Sequence, residues 1–204
     1  MIDHLVYATP DLATSTADLT TAGLTLSEGG SHVGLGTRNA LADLGDGAYL
    51  EVVGPDPEQP APEHPRPFGI DDLTAPKLLA WAVRVSDVDD VIRHAVEAGY
   101  DPGPAFPMSR RRTDGVLLEW RLTVPDISDE WRVVPFLIDW GDTPHPSDTA
   151  AKGSRLASFT VQHPRPGEIT TRLTALGLRT PVEQAPRPGL VAVVRTPTGD
   201  VTLG

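Results

Sequence analysis

The order of apolar and polar positions repeats three times along the chain. The first apolar run, His4-Leu5-Val6-Tyr7-Ala8, has strand character and gives way to Thr9-Pro10-Asp11 and a helical stretch closing at Gly23. Ala80-Trp81-Ala82-Val83-Arg84 leads in the same way through Val85-Ser86-Asp87 to Gly99. Ser158-Phe159-Thr160-Val161-Gln162 leads through His163-Pro164-Arg165 to Gly177. Asp11 to Gly23, Asp87 to Gly99 and Arg165 to Gly177 all span twelve residues. A short acidic side chain at a helix start accepts from free backbone N–H groups, and glycine suits the left-handed residue that ends a helix. Within the second helix, Val88, Val91, Ile92, Ala95 and Val96 fall on one face at the helical period. Three strand-like runs follow each helix: 31–35, 38–44 and 48–53, then 104–108, 116–124 and 133–140, then 180–184, 190–195 and 200–203. Each unit therefore reads β-α-β-β-β.

Prolines concentrate between the first two units, in the stretch from Gly54 to Pro67, which excludes a helix or a central strand and predicts a stiff extended connector. A second polar stretch, from Gly141 to Gly153, separates the second unit from the third. The expected organisation is a first module at 1–57, a Pro-rich linker at 58–76, a second module at 77–146 and a shorter third module at 147–204.

Composition narrows the chemistry. The 204 residues include no cysteine, which removes disulfides, thiol nucleophiles and cysteine-based metal sites. A net charge of −11 opposes a nucleic-acid partner. No apolar stretch has membrane-spanning length and no basic, apolar leader opens the chain, so no membrane partner and a cytoplasmic location are expected. There is no phosphate-binding loop, dinucleotide fingerprint or nucleophilic serine elbow, so no nucleotide cofactor is expected.

Several stretches carry a family resemblance. They are Asp3-His4-Leu5-Val6-Tyr7-Ala8-Thr9-Pro10-Asp11-Leu12, the glycine-rich Gly29 to Asn39, Gly45-Asp46-Gly47-Ala48-Tyr49-Leu50-Glu51, Ser109-Arg110-Arg111 and Pro135 to Trp140. With the repeated β-α-β-β-β unit, they resemble the glyoxalase-like domains of the vicinal oxygen chelate superfamily, which includes glyoxalase I, extradiol dioxygenases and bleomycin-resistance proteins. The resemblance implies an α+β fold in which paired βαβββ modules form a half-open mixed β barrel with flanking helices. It also implies a divalent metal (Zn, Fe, Mn or Ni) bound by residues on the first and last strands of a module. His4 and Glu51 hold those places in the first module; Ala80 and the neighbourhood of Ile138 or Asp139 hold them in the second. Only one ligand pair is visible, and Asp139, His145 or His32 are the candidates to complete it.

Other residues read as follows. Glu51 lies in the apolar run from Ala48 to Val53, where a carboxylate is costly to bury unless paired, protonated or metal-bound. Glu51 and His32 are the candidate proton-moving groups. His32 and Asn39 sit in a glycine-rich stretch that is either a ligand-contacting loop or a solvent-facing hairpin. In an extended segment Arg110 and Arg112 point the same way, either into a pocket to hold a substrate carboxylate or phosphate or out into solvent. Asn39, Arg110, Arg112 and Trp120 are the substrate-binding candidates. The expected function is an enzyme on a small organic substrate, of isomerase, lyase or dioxygenase type and aided by a divalent metal. The alternative is a non-catalytic protein that sequesters a small molecule. An unpaired third module must cover a sheet edge or meet a second copy, which predicts a homodimer.

Overall fold

The helices begin and end where the sequence marks them. In the computed structural model, which describes residues 1–204 except Thr113, Pro125, Ile127, Asp129 and the side chain of Arg111, α1 runs Leu12–Thr21, α2 Val88–Glu97 and α3 Pro166–Ala175. The Asp11 and Asp87 side chains cap the first two by accepting from the Thr14 and Asp90 backbone N–H groups. In α3 no side chain caps the start, and Pro166 opens the helix instead.

Among the described residues there are twelve strands in two sheets. The first unit contributes β1 (Ile2–Ala8), β2 (Ser27–His32), β3 (Thr37–Gly45) and β4 (Ala48–Pro55). The second contributes β5 (Lys77–Arg84), β6 (Ala105–Arg111), β7 (Leu117–Thr123) and β8 (Phe136–Asp139). The third contributes β9 (Arg155–His163), β10 (Val182–Gln184), β11 (Gly189–Thr196) and β12 (Gly199–Leu203). One expected strand is displaced: 31–35 is not extended throughout. Gly34 and Gly36 take φ values of 82° and 63°, so the chain turns at Val33–Gly36 and the strand lies earlier, at β2.

The first eight strands form one curled sheet in the order β2-β3-β4-β1-β5-β8-β7-β6. Each unit places its first strand parallel to its last, β1 beside β4 and β5 beside β8. β1 and β5 join the two halves antiparallel. The curl brings the two edge strands, β2 and β6, against each other. This is the α+β half-open barrel that the sequence implies.

The third unit keeps the element order but pairs differently. Its sheet runs β10-β9-β11-β12, with β9 parallel to β10 and antiparallel to β11, so the last strand lies at the edge. It also covers a face of the large sheet, through contacts of β9 with β3 and β11 with β5, and Trp81 packs on Phe159 with ring centroids 4.9 Å apart.

Two apolar layers result. Leu5, Leu50, Val52, Leu78, Trp81 and Leu137 face the helices and the third unit. Val6, Ala8, Val53, Ala80, Ala82, Phe136, Ile138 and Trp140 line the concave side. The proline-rich stretch is more than a connector: a 3₁₀ segment at Pro67–Asp72 buries Ile70, and Phe68 and Leu73 pack against the concave layer. Among the described residues no helix is long and apolar enough to cross a membrane.

Candidate active site on the concave face of the large sheet

Strand parity puts His4 on β1, and Tyr49 and Glu51 on β4, on the same concave face. His4 is level with Tyr49, and Val6 with Glu51, across the parallel pair. On β3, Asn39 is level with Val53 and points the same way. His32 reaches in from the end of β2, and Arg110 comes from β6, opposite Leu118 of β7. Asn39, Glu51, His4 and Arg110 are all buried, at 3%, 8%, 4% and 5% exposure.

Hydrogen bonding fixes the orientation of each group. Arg110 Nη1 donates to Asn39 Oδ1 at 2.9 Å, which leaves the Asn39 amide nitrogen to donate to Glu51 Oε1 at 2.5 Å. The same nitrogen lies 3.3 Å from His32 Nε2, which accepts, so His32 carries its proton on Nδ1, 3.0 Å from the Thr37 hydroxyl. Burial lowers the His32 pKa, against the opposing charge of Glu51, and so keeps this imidazole neutral. His4 Nδ1–H donates to Asp3 Oδ1 at 2.6 Å, and its Nε2 faces Glu51 Oε2 at 3.7 Å. Burial acts to raise the Glu51 pKa, but His4, His32, the Asn39 hydrogen bond and the Arg110 charge outweigh it and hold the carboxyl ionised. Glu51 therefore has one oxygen satisfied by Asn39 and the other turned toward Nε2 of His4.

Behind His4 lies a group that the sequence reading missed. Asp3 is fully buried, and its Oδ2 accepts from His145 Nε2 at 2.8 Å and Trp140 Nε1 at 3.0 Å. Burial opposes its ionisation, yet the His145 and His4 hydrogen bonds and charges hold its pKa far below the ordinary carboxylate range. A bulge between Ile2 and His4 leaves Asp3 without a partner on β5, and such irregularities re-aim a side chain that strand alternation would send elsewhere. The ring stack of His4 on Tyr49, with centroids 4.8 Å apart, completes the setting of that imidazole.

Glycine at position 29 is required by space. A β-carbon there would lie 2.0 Å from Asn39 Oδ1 and 2.8 Å from Arg110 Nη1. Two of the expected residues lie apart from the polar cluster. Arg112 pairs with Asp114 at 2.7 Å in its own hairpin turn. Trp120 packs on Trp140, with centroids 5.1 Å apart, and its buried Nε1–H has no partner among the described residues. Of the candidates to complete a ligand set, Asp139 accepts instead from the Val88 and Gly141 backbone N–H groups, at the start of α2. His145 is bound to Asp3.

The donor set does not fit a metal centre. Among the described residues no group of three or more His, Asp or Glu side chains is arranged to hold an ion. The nearest approach is Glu51 between His4 and His32, whose Nε2 atoms lie 3.7 and 3.6 Å from its two oxygens, but Asn39 already donates to one of those oxygens and to His32, and a guanidinium stands one residue away. A cleft of about 910 Å³ lies between α1, β2 and β3, lined by Leu12, Thr16, Glu28, Arg38 and Ala40, and Asn39 borders it as well. It holds none of the site's titratable groups.

Paired βαβββ halves curled around a buried polar cluster define a vicinal oxygen chelate fold. The profile of the glyoxalase-like domain family matches residues 2–177, and the chain belongs to that family. In structure it is similar to a hypothetical protein from Staphylococcus aureus, at 14% identity and a TM-score of 0.68 over 92% of this chain and 87% of that one. Methylmalonyl-CoA epimerase from Mycobacterium tuberculosis is more distant, 20% identical with a TM-score of 0.44 over 70% of this chain and 88% of that one. A xylose isomerase-like TIM barrel/4-hydroxyphenylpyruvate dioxygenase fusion protein aligns with a TM-score of 0.46 at 14% identity, over 100% of this chain and 32% of the fusion. No curated protein matches the sequence.

Proposed function

We propose that the chain is a small-molecule enzyme that moves a proton on a carbonyl-type organic ligand held on the concave face, chemistry of the isomerase or lyase type. One observation carries the reading: among the described residues the buried, ionised Glu51 has no hydrogen bond to Oε2, which lies 3.7 Å from Nε2 of His4. An ionised carboxylate beside an imidazole, shielded from water, suits removal of a C–H proton by Glu51 with His4 as its proton-exchanging neighbour. His32, whose Nε2 accepts from Asn39, positions the amide that steadies Glu51. No step is routed through a metal, because the donors do not fit one. The second reading, sequestration without chemistry, draws on that same lack of a three-donor set.

The test is deuterium exchange. Small ketones and 2-oxo acids are incubated with the protein in heavy water, and loss of the C–H signal next to the carbonyl is followed by NMR. Protein-dependent exchange is expected, falling by about 100-fold or more in Glu51→Gln. An unchanged rate in that variant refutes the assignment of Glu51. Binding without exchange favours sequestration.

A further inference from the structure

Arg110 is a buried cation without a counterion. At 5% exposure it makes one hydrogen bond, from Nη1 to the neutral Asn39 amide, and among the described residues no carboxylate lies within ion-pair distance of it. Its remaining N–H donors have no acceptor among the described residues. Asn39 creates this situation by standing between the guanidinium and Glu51, accepting from one and donating to the other. The two charges are thus relayed without being paired. A buried guanidinium left this way is expensive, and burial accordingly lowers the Arg110 pKa despite the favourable charge of Glu51.

The surroundings point the same way. The Tyr49 hydroxyl, on a residue only 4% exposed, makes no hydrogen bond in the described structure, and its electrostatics couple to Arg110. Trp120, two residues beyond Leu118 on the strand facing Arg110, carries the orphaned buried Nε1–H. Among the described residues, one concave face therefore carries a guanidinium with a single acceptor and a phenol and an indole with none. Gly29 keeps the adjacent β2 edge clear of side-chain bulk.

We propose that Arg110 forms a carboxylate-binding subsite, so that the ligand of this chain is a small organic acid whose carboxylate is gripped by the free edge of the guanidinium with Tyr49 beside it. This rests on the reading of the concave face as the ligand site and names the ligand's charge. The guanidinium also supplies the fixed positive charge that the donor set does not provide through a metal. A planar fork of N–H groups matches a carboxylate in two parallel bonds, which a neutral amide of the same shape cannot reproduce.

The experiment is titration calorimetry on the full chain with acetate, pyruvate and benzoate against acetamide, pyruvamide and benzamide. The acids are expected to bind at least about tenfold more tightly than their amides. Arg110→Gln should abolish that preference, and Arg110→Lys should weaken it by about tenfold, because the fork geometry is lost. Asn39→Asp supplies Arg110 with an internal carboxylate and should suppress acid binding while the guanidinium remains, which covers the case in which Arg110→Gln fails to fold. Acids binding no more tightly than amides, or an acid preference that survives in folded Arg110→Gln, overturns the subsite. Proton exchange plays no part in this measurement, so its outcome and that of the Glu51 assay fall independently.

Discussion

Replacing Asp3 by asparagine tests the link between the buried network and the geometry of His4. Two of the three donors to Asp3, His145 Nε2 and Trp140 Nε1, share Oδ2 at 2.8 and 3.0 Å, while His4 Nδ1 meets Oδ1 at 2.6 Å. An asparagine would turn its single oxygen to the pair and set its NH₂ against the His4 N–H. His4 Nδ1 must then accept, which leaves the imidazole proton on Nε2, facing Glu51. Breaking a buried charged network by neutralising one member costs about 3 kcal/mol or more. For a domain of this size that is a fall in melting temperature of roughly 6–12 °C. Urea unfolding followed by tryptophan fluorescence reads the loss, and nitrogen NMR of the imidazole reads the tautomer. The pH dependence supplies the sign. Because the folded pKa of Asp3 lies below the ordinary 3.8, its contribution is present above about pH 4 and is lost as pH falls further. The gap between wild type and variant should hold from neutrality to about pH 4 and narrow below it. A loss under about 1 kcal/mol would refute the argument, since that is the size of an ordinary neutral hydrogen bond. So would an unchanged His4 tautomer.

Gly29→Ala should destabilise the protein by about 1–3 kcal/mol through overpacking against Asn39 and Arg110, and an unfolding curve matching wild type would contradict the close approach. Asp11→Ala removes the α1 cap and should cost about 1 kcal/mol, read by the same denaturation, with no change at the concave face. His32, its folded pKa lowered by burial, contributes stability that is present above its unfolded value near 6.5 and is lost as pH falls; histidine NMR should show it titrating below that value. Elemental analysis after purification in chelator-free buffer should find far less than one metal per chain; stoichiometric metal that disappears in His4→Ala would restore the metal centre the family resemblance implies.

The sequence carried the element order because each helix was bracketed by chemistry that is local: an aspartate before the first two, a proline opening the third and a glycine twelve residues on from the starting position. Parity along β1 and β4 likewise set His4 and Glu51 on one side, and the parallel pairing then brought them together. What parity could not carry was Asp3, because the bulge at Ile2–His4 reverses its sense, and a bulge leaves no mark in a five-residue apolar run. His145 was visible as a candidate ligand, but its bond to Asp3 was hidden for another reason: the two lie 142 residues apart, and the neighbours of His145 are prolines. The arginine run gave a shared direction to Arg110 and Arg112, yet the turn that lets Asp114 capture Arg112 is a property of the hairpin. The third unit's strand order was invisible because a strand of three residues, Val182–Gln184, carries too little pattern to choose its neighbour.

The span of that buried network ties the two halves of the large sheet to one another. Asp3 lies on the first strand of the first half, while Trp140 and His145, which donate to its Oδ2, lie 137 and 142 positions further along the chain. The aspartate therefore acts as a rivet between the halves: a first half folded alone would keep the His4 hydrogen bond but lack the other two donors to that carboxylate, and should be the less stable for it.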